Sequence, residues 1–299
     1  MNNNQNSFNF IDEIDNPKEG DEIIEKSKNI SPFNGLDVKS WMKFTKSWFI
    51  CNPPPRSSEK LKHPAKFPEN MVKEFVAFFT KTGEIVLDPF SGVGSAIIAA
   101  SSLNRHGVGI EISKEFFDIS RNSLPLFNNN NTNELFLFGD ARNAANLCKE
   151  NNIDNVHFII TSPPYWNMLR KSRGGVLSAQ KEREKEGLKT DYSGVEGDLG
   201  TIEDYDEFIV ELVNIFNNLR QILLPNRYLT VVLQNIRIVE GEVKPLAWDF
   251  TRALSKYYTF KGERIWLQDN KKLGIWGWPS EFVTNVHHHY CLIFKNDKT

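Results

Sequence analysis

Between Glu84 and Thr161, short unbroken apolar runs alternate with stretches whose apolar positions recur at helical spacing. The runs 84–88, 107–111, 134–138 and 156–161 predict strands, and 95–103, 113–122 and a short segment near 142–150 predict the helices between them. Upstream, Met71, Val72, Phe75, Phe78 and Phe79 predict a helix over 70–80. Downstream, a helix is expected over 202–222, opening at Thr201 with Asp204 three residues on. A strand at 228–234, a helix at 245–256 and strands at 258–267 and 287–295 complete the pattern. This alternation of strand and helix predicts an α/β fold, a mainly parallel sheet with helices on both faces. No internal repeat is present.

The chemistry gathers where the strands stop. After the first, Asp88-Pro89-Phe90-Ser91-Gly92-Val93-Gly94-Ser95 forms a glycine turn into a helix, where a ligand can approach the backbone closely. It meets the dinucleotide fingerprint only in part, since Ile97 stands where that pattern wants Gly or Ala. The second strand ends in Glu111, placed as an acceptor for ribose hydroxyls. The third ends at Gly139-Asp140, which offers an acceptor to an adenine amine. The fourth runs into Ser162-Pro163-Pro164-Tyr165-Trp166. Two prolines remove two backbone donors and stiffen the turn, so a hydroxyl and a carbonyl can aim at one exocyclic amine while Tyr165 stacks on its ring.

These two motifs together resemble the S-adenosylmethionine-dependent DNA amino-methyltransferases, which methylate N4 of cytosine or N6 of adenine. His63-Pro64-Ala65-Lys66-Phe67-Pro68 resembles the HPxxxP segment of that family, and Gly197-Asp198-Leu199, Tyr205–Phe208 and Leu223–Asn226 also follow its pattern. The match covers roughly 60–295, in the gamma-like order of HPxxxP, glycine turn, then SPPY. The resemblance implies a Rossmann-like methyltransferase fold with seven strands, the last reversed. It implies a cofactor pocket of His63, Phe67, Pro68, Asp88, Pro89, Phe90, Gly92, Gly94, Ser95, Glu111, Ile112, Asp140 and Ala141. Ser162, Pro163, Pro164 and Tyr165 would carry catalysis on a base flipped out of double-stranded DNA, with Trp166 walling the pocket. Within the family, Ser before Pro-Pro-Tyr leans toward cytosine N4, with adenine N6 the alternative. An RNA amine or an inactive cofactor-binding relative are further alternatives, and a cognate restriction endonuclease is a possible partner.

Composition qualifies this picture only slightly. The net charge of −2 is not that of a basic DNA-binding domain. Residues 1–30, however, hold seven acids against three lysines, which leaves 31–299 near +2. That asparagine-rich acidic start predicts a poorly ordered tail, and 31–299 one catalytic domain. No apolar stretch approaches a membrane span, residues 1–10 lack the pattern of a signal peptide, and three scattered cysteines suit a reducing cytoplasm.

Four other features invite interpretation. Residues 31–68 mix aromatic and basic side chains and read as a lid packed on the catalytic domain, with DNA contact the rival; Asn52–Pro55 reads as a rigid connector. Residues 167–200 read either as a solvated surface insertion or as a flexible target-recognition loop, with Arg170, Lys171 and Arg173 on phosphates or base edges. Lys271–Trp278 carries a tryptophan pair, a pattern that more often plugs a core than stacks on bases. His287-His288-His289 is not read as a metal site, because neighbours in a strand point to opposite faces.

Overall fold

In the computed structural model, residues 30–52, 68–123, 132–166, 197–238, 242–271, 273–275 and 278–298 are described. The tail before Ile30, the sites His63, Phe67, Arg170, Lys171 and Arg173, and most of the 167–200 loop lie outside them.

In chain order the elements are α1 (Val38–Phe44), β1 (Trp48–Ile50), α2 (Glu69–Phe79), β2 (Ile85–Asp88), α3 (Ser95–Ser101), β3 (His106–Glu111), α4 (Lys114–Ser123) and β4 (Glu134–Phe138). There follow a 3-10 turn (Ala141–Asn143), α5 (Ala144–Glu150) and β5 (Val156–Thr161). The second half holds α6 (Tyr205–Leu219), β6 (Leu223–Leu233), β7 (Ile236–Arg237), β8 (Val243–Lys244), α7 (Leu246–Leu254), β9 (Thr259–Leu267) and β10 (His288–Lys295).

The strand order is β1-β9-β10-β6-β5-β2-β3-β4, and every pairing is parallel except the two made by β10. A run of parallel strands buried on both faces explains why those segments read as unbroken apolar runs. Successive side chains divide between the faces: Val86, Phe158, Ile160, Val232 and Cys291 pack under α1, α2 and α3. Leu87, Ile159, Val231 and Leu292 pack instead under α5, α6 and α7.

Three expectations are corrected. The main sheet has eight strands, not seven, because β1 adds a parallel edge to β9 through Trp48↔Ile265, Phe49↔Trp266 and Ile50↔Leu267. The described part of 31–68 is therefore built into the sheet. Phe44 stacks on Phe78 with centroids 4.0 Å apart, and Asn34 Nδ2 donates to the Phe78 carbonyl at 2.6 Å. The Arg264 guanidinium lies 4.2 Å over Phe44 and 4.5 Å over Phe49, and its Nε donates to Lys46 O.

Second, α6 is capped by Asp204, whose carboxylate accepts from Glu207 N at 2.8 Å, rather than by Thr201. Thr201 closes a separate 3-10 turn (Leu199–Thr201) and donates its hydroxyl to Asp198 O. Third, β6 begins at Leu223, five residues early, because Pro225 and Asn226 are absorbed as an irregularity instead of ending the strand. Asn226 takes a φ of 63°, and its N–H donates to Asn296 O.

Candidate functional site

Because β5, β2 and β3 are adjacent and parallel, Ser162, Asp88 and Glu111 come to neighbouring strand ends on one edge of the sheet. The glycine turn between β2 and α3 is held against β3 by Ser91 N–H donating to Ile110 O at 2.9 Å. Gly94 sits at φ 83°, and a Cβ there would stand 2.6 Å from Phe136 Cζ. The close packing of helix on strand is supplied from the strand side. A Cβ on Gly107 would meet Ile97 Cγ2 at 2.8 Å, and one on Gly109 would meet Ile97 Cδ1 at 2.8 Å. Ile97, the departure from the dinucleotide fingerprint, thus fills space that two glycines of β3 leave open.

Two buried carboxylates face this turn. Asp88 Oδ1 accepts from Phe90 N at 3.0 Å and from Thr161 Oγ1 at 2.5 Å, whereas its Oδ2 is buried without a partner. Burial pushes its pKa up to about 7. Glu111 accepts from Gly92 N and Ser113 N, each at 2.8 Å, and is likewise raised to about 7, chiefly by burial. Ser91 Oγ is a second buried polar atom without a partner. Pro89 and Ser95 are buried and Phe90 is half-buried beside them. Pro68, the described end of the HPxxxP-like segment, is buried at the start of α2.

Asp140 is more occupied than its sequence suggests. Oδ1 accepts from Arg142 N and Oδ2 pairs with Arg142 Nη1, both at 2.8 Å. Arg142 also donates to Gly197 O at 2.7 Å and to Glu211 at 3.1 Å. Gly197, at φ 87°, comes so close that a Cβ would stand 2.9 Å from Asp140 Oδ2 and 3.2 Å from Ile112 Cδ1. Sequence reading missed Arg142; the Gly197-Asp198-Leu199 pattern was the signal that this wall existed. Ala141 is buried at the head of the 3-10 turn that follows.

At the end of β5, Ser162 Oγ donates to Val232 O at 3.2 Å, and Tyr165 OH lies 3.5 Å from both Ser162 Oγ and Val232 O. With its hydrogen turned to Val232, the serine keeps lone pairs for an incoming N–H. Burial holds the Tyr165 phenol above its ordinary pKa. Pro163 is buried and Pro164 half-buried. Trp166 packs edge-on against Tyr205 at 5.2 Å, its indole Nε1 buried without a partner. A further ring pair went unforeseen: His289 stacks on Trp266 at 4.6 Å and lies 6.3 Å from Tyr165. His288 instead pairs its Nε2 with Tyr290 OH at 3.1 Å.

Residues 2–122 match a family model described as DNA methylase. The type II methyltransferase M.BglII of Bacillus subtilis is 30% identical over 139 residues, 46% of this chain and 36% of that one. The type II methyltransferase M.HindIII of Haemophilus influenzae is 40% identical over 74 residues, 25% of this chain and 24% of its own length. The matched stretches thus span about a third and a quarter of these relatives. Among solved structures, TrmN from Thermus thermophilus aligns over 77% of this chain and 49% of its own, at 13% identity and a TM-score of 0.47.

Proposed function

We infer that this chain, a relative of the DNA methyltransferases that act on exocyclic amines, transfers a methyl group to the N4 amine of cytosine in a base flipped out of double-stranded DNA. The observation that carries the reading is the pair of neighbouring strand ends: buried acceptors at Asp88 and Glu111, and beside them a serine whose hydroxyl is turned to accept an amine.

S-adenosylmethionine is the family's methyl donor and supplies, when bound, a methyl group activated by a sulfonium centre. The residues present fit it. Asp88 Oδ2 and Ser91 Oγ are buried and unpaired, the condition a ligand bearing N–H and O–H donors relieves. Two carboxylates made hard to ionise by burial favour a cationic partner. Glu111, with one backbone donor on each oxygen, keeps lone pairs for ribose hydroxyls. Phe90, Ile112, Ala141 and Asp140 would form the neighbouring wall, and the glycine turn holds Glu111 in place through Gly92 N–H.

An arylamine is a poor nucleophile because its lone pair is delocalised into the ring. Ser162 Oγ and the Pro163 carbonyl accept from the two N–H bonds, draw the nitrogen toward tetrahedral geometry and localise that pair. Tyr165 stacks on the base, fixed by its phenol against Val232 O and by His289 behind it. Holding the amine in one orientation would account for much of the rate, since orientation is worth roughly 7–11 kcal/mol.

Replacing Ser162 by Ala should slow single-turnover methyl transfer to DNA about tenfold or more, the equivalent of one lost hydrogen bond of about 1.5 kcal/mol. Cofactor affinity by calorimetry should stay unchanged; a wild-type rate would dismiss the hydroxyl's role. Mass spectrometry of nucleosides from the treated DNA identifies the amine. The serine supports N4-methylcytosine, and N6-methyladenine as sole product would overturn that choice while leaving the chemistry intact.

A further inference from the structure

The four most exposed large apolar side chains among the described residues all lie in one loop: Leu273 at 76%, Ile275 at 86%, Trp278 at 81% and Phe282 at 92% exposure. Single exposed apolar residues are ordinary, but four large ones gathered in one loop mark a contact surface. The loop joins β9 to β10 and leaves the sheet on the edge that carries the site. Leu267 and His288, which bound it, are paired in register, and the next residues inward, Trp266 and His289, form the stack that reaches Tyr165.

Its neck is fastened. Asn285 Oδ1 accepts from Gly274 N at 2.8 Å and its Nδ2 donates to Gly274 O at 3.0 Å, while Lys271 Nζ donates to Val286 O at 3.1 Å. The side chains beyond that neck are held out from the body of the protein. Charge does not make the loop a phosphate cradle, since Lys271 and Lys272 are balanced by Asp269 and Glu281.

We propose that this loop is the wedge by which the protein enters duplex DNA, with Leu273, Ile275, Trp278 and Phe282 pressed against or between the base pairs beside the nucleotide drawn into the site. The proposal rests on the amine-methylating reading above. A base reaching Ser162 and Tyr165 leaves a gap in its stack, and apolar side chains that fill or pry open such a step offset the unstacking. The duplex must approach along this edge, so the apolar tips meet it beside the extruded base. Near-neutral charge suits the stacked interior of DNA better than its backbone.

The test is a Trp278→Ser/Phe282→Ser double variant of the full chain, with Leu273→Ser/Ile275→Ser as a second pair. Because these side chains are exposed, neither pair removes core packing. Methyl transfer from labelled S-adenosylmethionine is measured on plasmid DNA, native and heat-denatured, beside calorimetric cofactor affinity and the molecular mass of each protein in solution. We expect transfer to native DNA to fall at least tenfold, with transfer to denatured DNA and cofactor affinity within twofold of the unsubstituted chain. Unchanged transfer to native DNA, or an equal loss on denatured DNA, overturns the wedge. A dimer that the substitutions dissolve without loss on native DNA assigns the patch to a second copy and overturns it too. If the unsubstituted chain binds S-adenosylmethionine but methylates neither DNA, the amine-methylating reading itself fails and the wedge with it.

Discussion

Gly94 combines a left-handed backbone with a van der Waals contact that leaves no room for a methyl group. A left-handed conformation costs an L-residue about 1–2 kcal/mol, and the overlap with Phe136 comes on top. Gly94→Ala should therefore lower the thermal midpoint and weaken S-adenosylmethionine binding at least about tenfold, read by calorimetry. Gly83→Ala is the control: its φ is 78°, but nothing lies within 4 Å of the new Cβ, so stability should fall and affinity should not. At this scale the sequence announces residues whose place is set by a strand and the turn that follows it. Gly92, Glu111 and Ser162 were legible because a strand followed by a turn fixes where each points. Arg142 was not, because its partner Gly197 lies 55 residues on and nothing local demands that they meet.

Among the strands of the main sheet, β1 was the one sequence patterning missed, and the reason is its length. Three residues within an aromatic and basic run give no period to read, and the strand exists because β9 offers an open edge. Its attachment depends on Arg264, a cation held between the rings of Phe44 and Phe49, donating to Lys46 O and 3.6 Å from Glu74. Burial raises the pKa of Glu74 and lowers that of Arg264, so the two charges depend on each other. Arg264→Ala should destabilise the fold by about 1–3 kcal/mol, because it leaves a half-buried carboxylate without its partner and removes the cation between two rings. Urea unfolding of the variant measures this. A loss below about 1 kcal/mol would mean that the aromatic packing alone fastens β1. By contrast, β2 to β5 and the helices between them were placed within two residues, since unbroken apolar runs of four to six residues have few alternatives.

Over the whole molecule, the candidate site is a place where protonation and cofactor binding would compete. Asp88 and Glu111 carry folded pKa values near 7, against roughly 4 in the unfolded chain. The folded state therefore holds more protons between about pH 4 and 7, and these two groups make the ligand-free fold less stable as pH rises through that window. His289, lowered to about 3 by burial, acts in the opposite sense and withdraws stability as pH falls below about 6.5. A cationic cofactor requires the carboxylates ionised. Affinity for S-adenosylmethionine should thus fall as pH drops below 7, by up to about tenfold per pH unit for each carboxylate that must lose its proton. Calorimetry between pH 5.5 and 8 tests this, and a flat profile would show that neither group titrates on binding.

The place of β10 in the sheet has a consequence for how the chain comes together. It follows β9 in sequence, yet it lies between β6 and β9, and among the described residues it is the one strand that pairs with both. Until it is in place, β1 and β9 form one ribbon and β6, β5, β2, β3 and β4 another, and among the described residues no ladder joins the two. Two ribbons, each with a bare edge, therefore stay unsealed until β10 is inserted between them. The strand that closes the seam also carries His289 to the back of Tyr165. Closure of the sheet and completion of the candidate pocket are consequently one event.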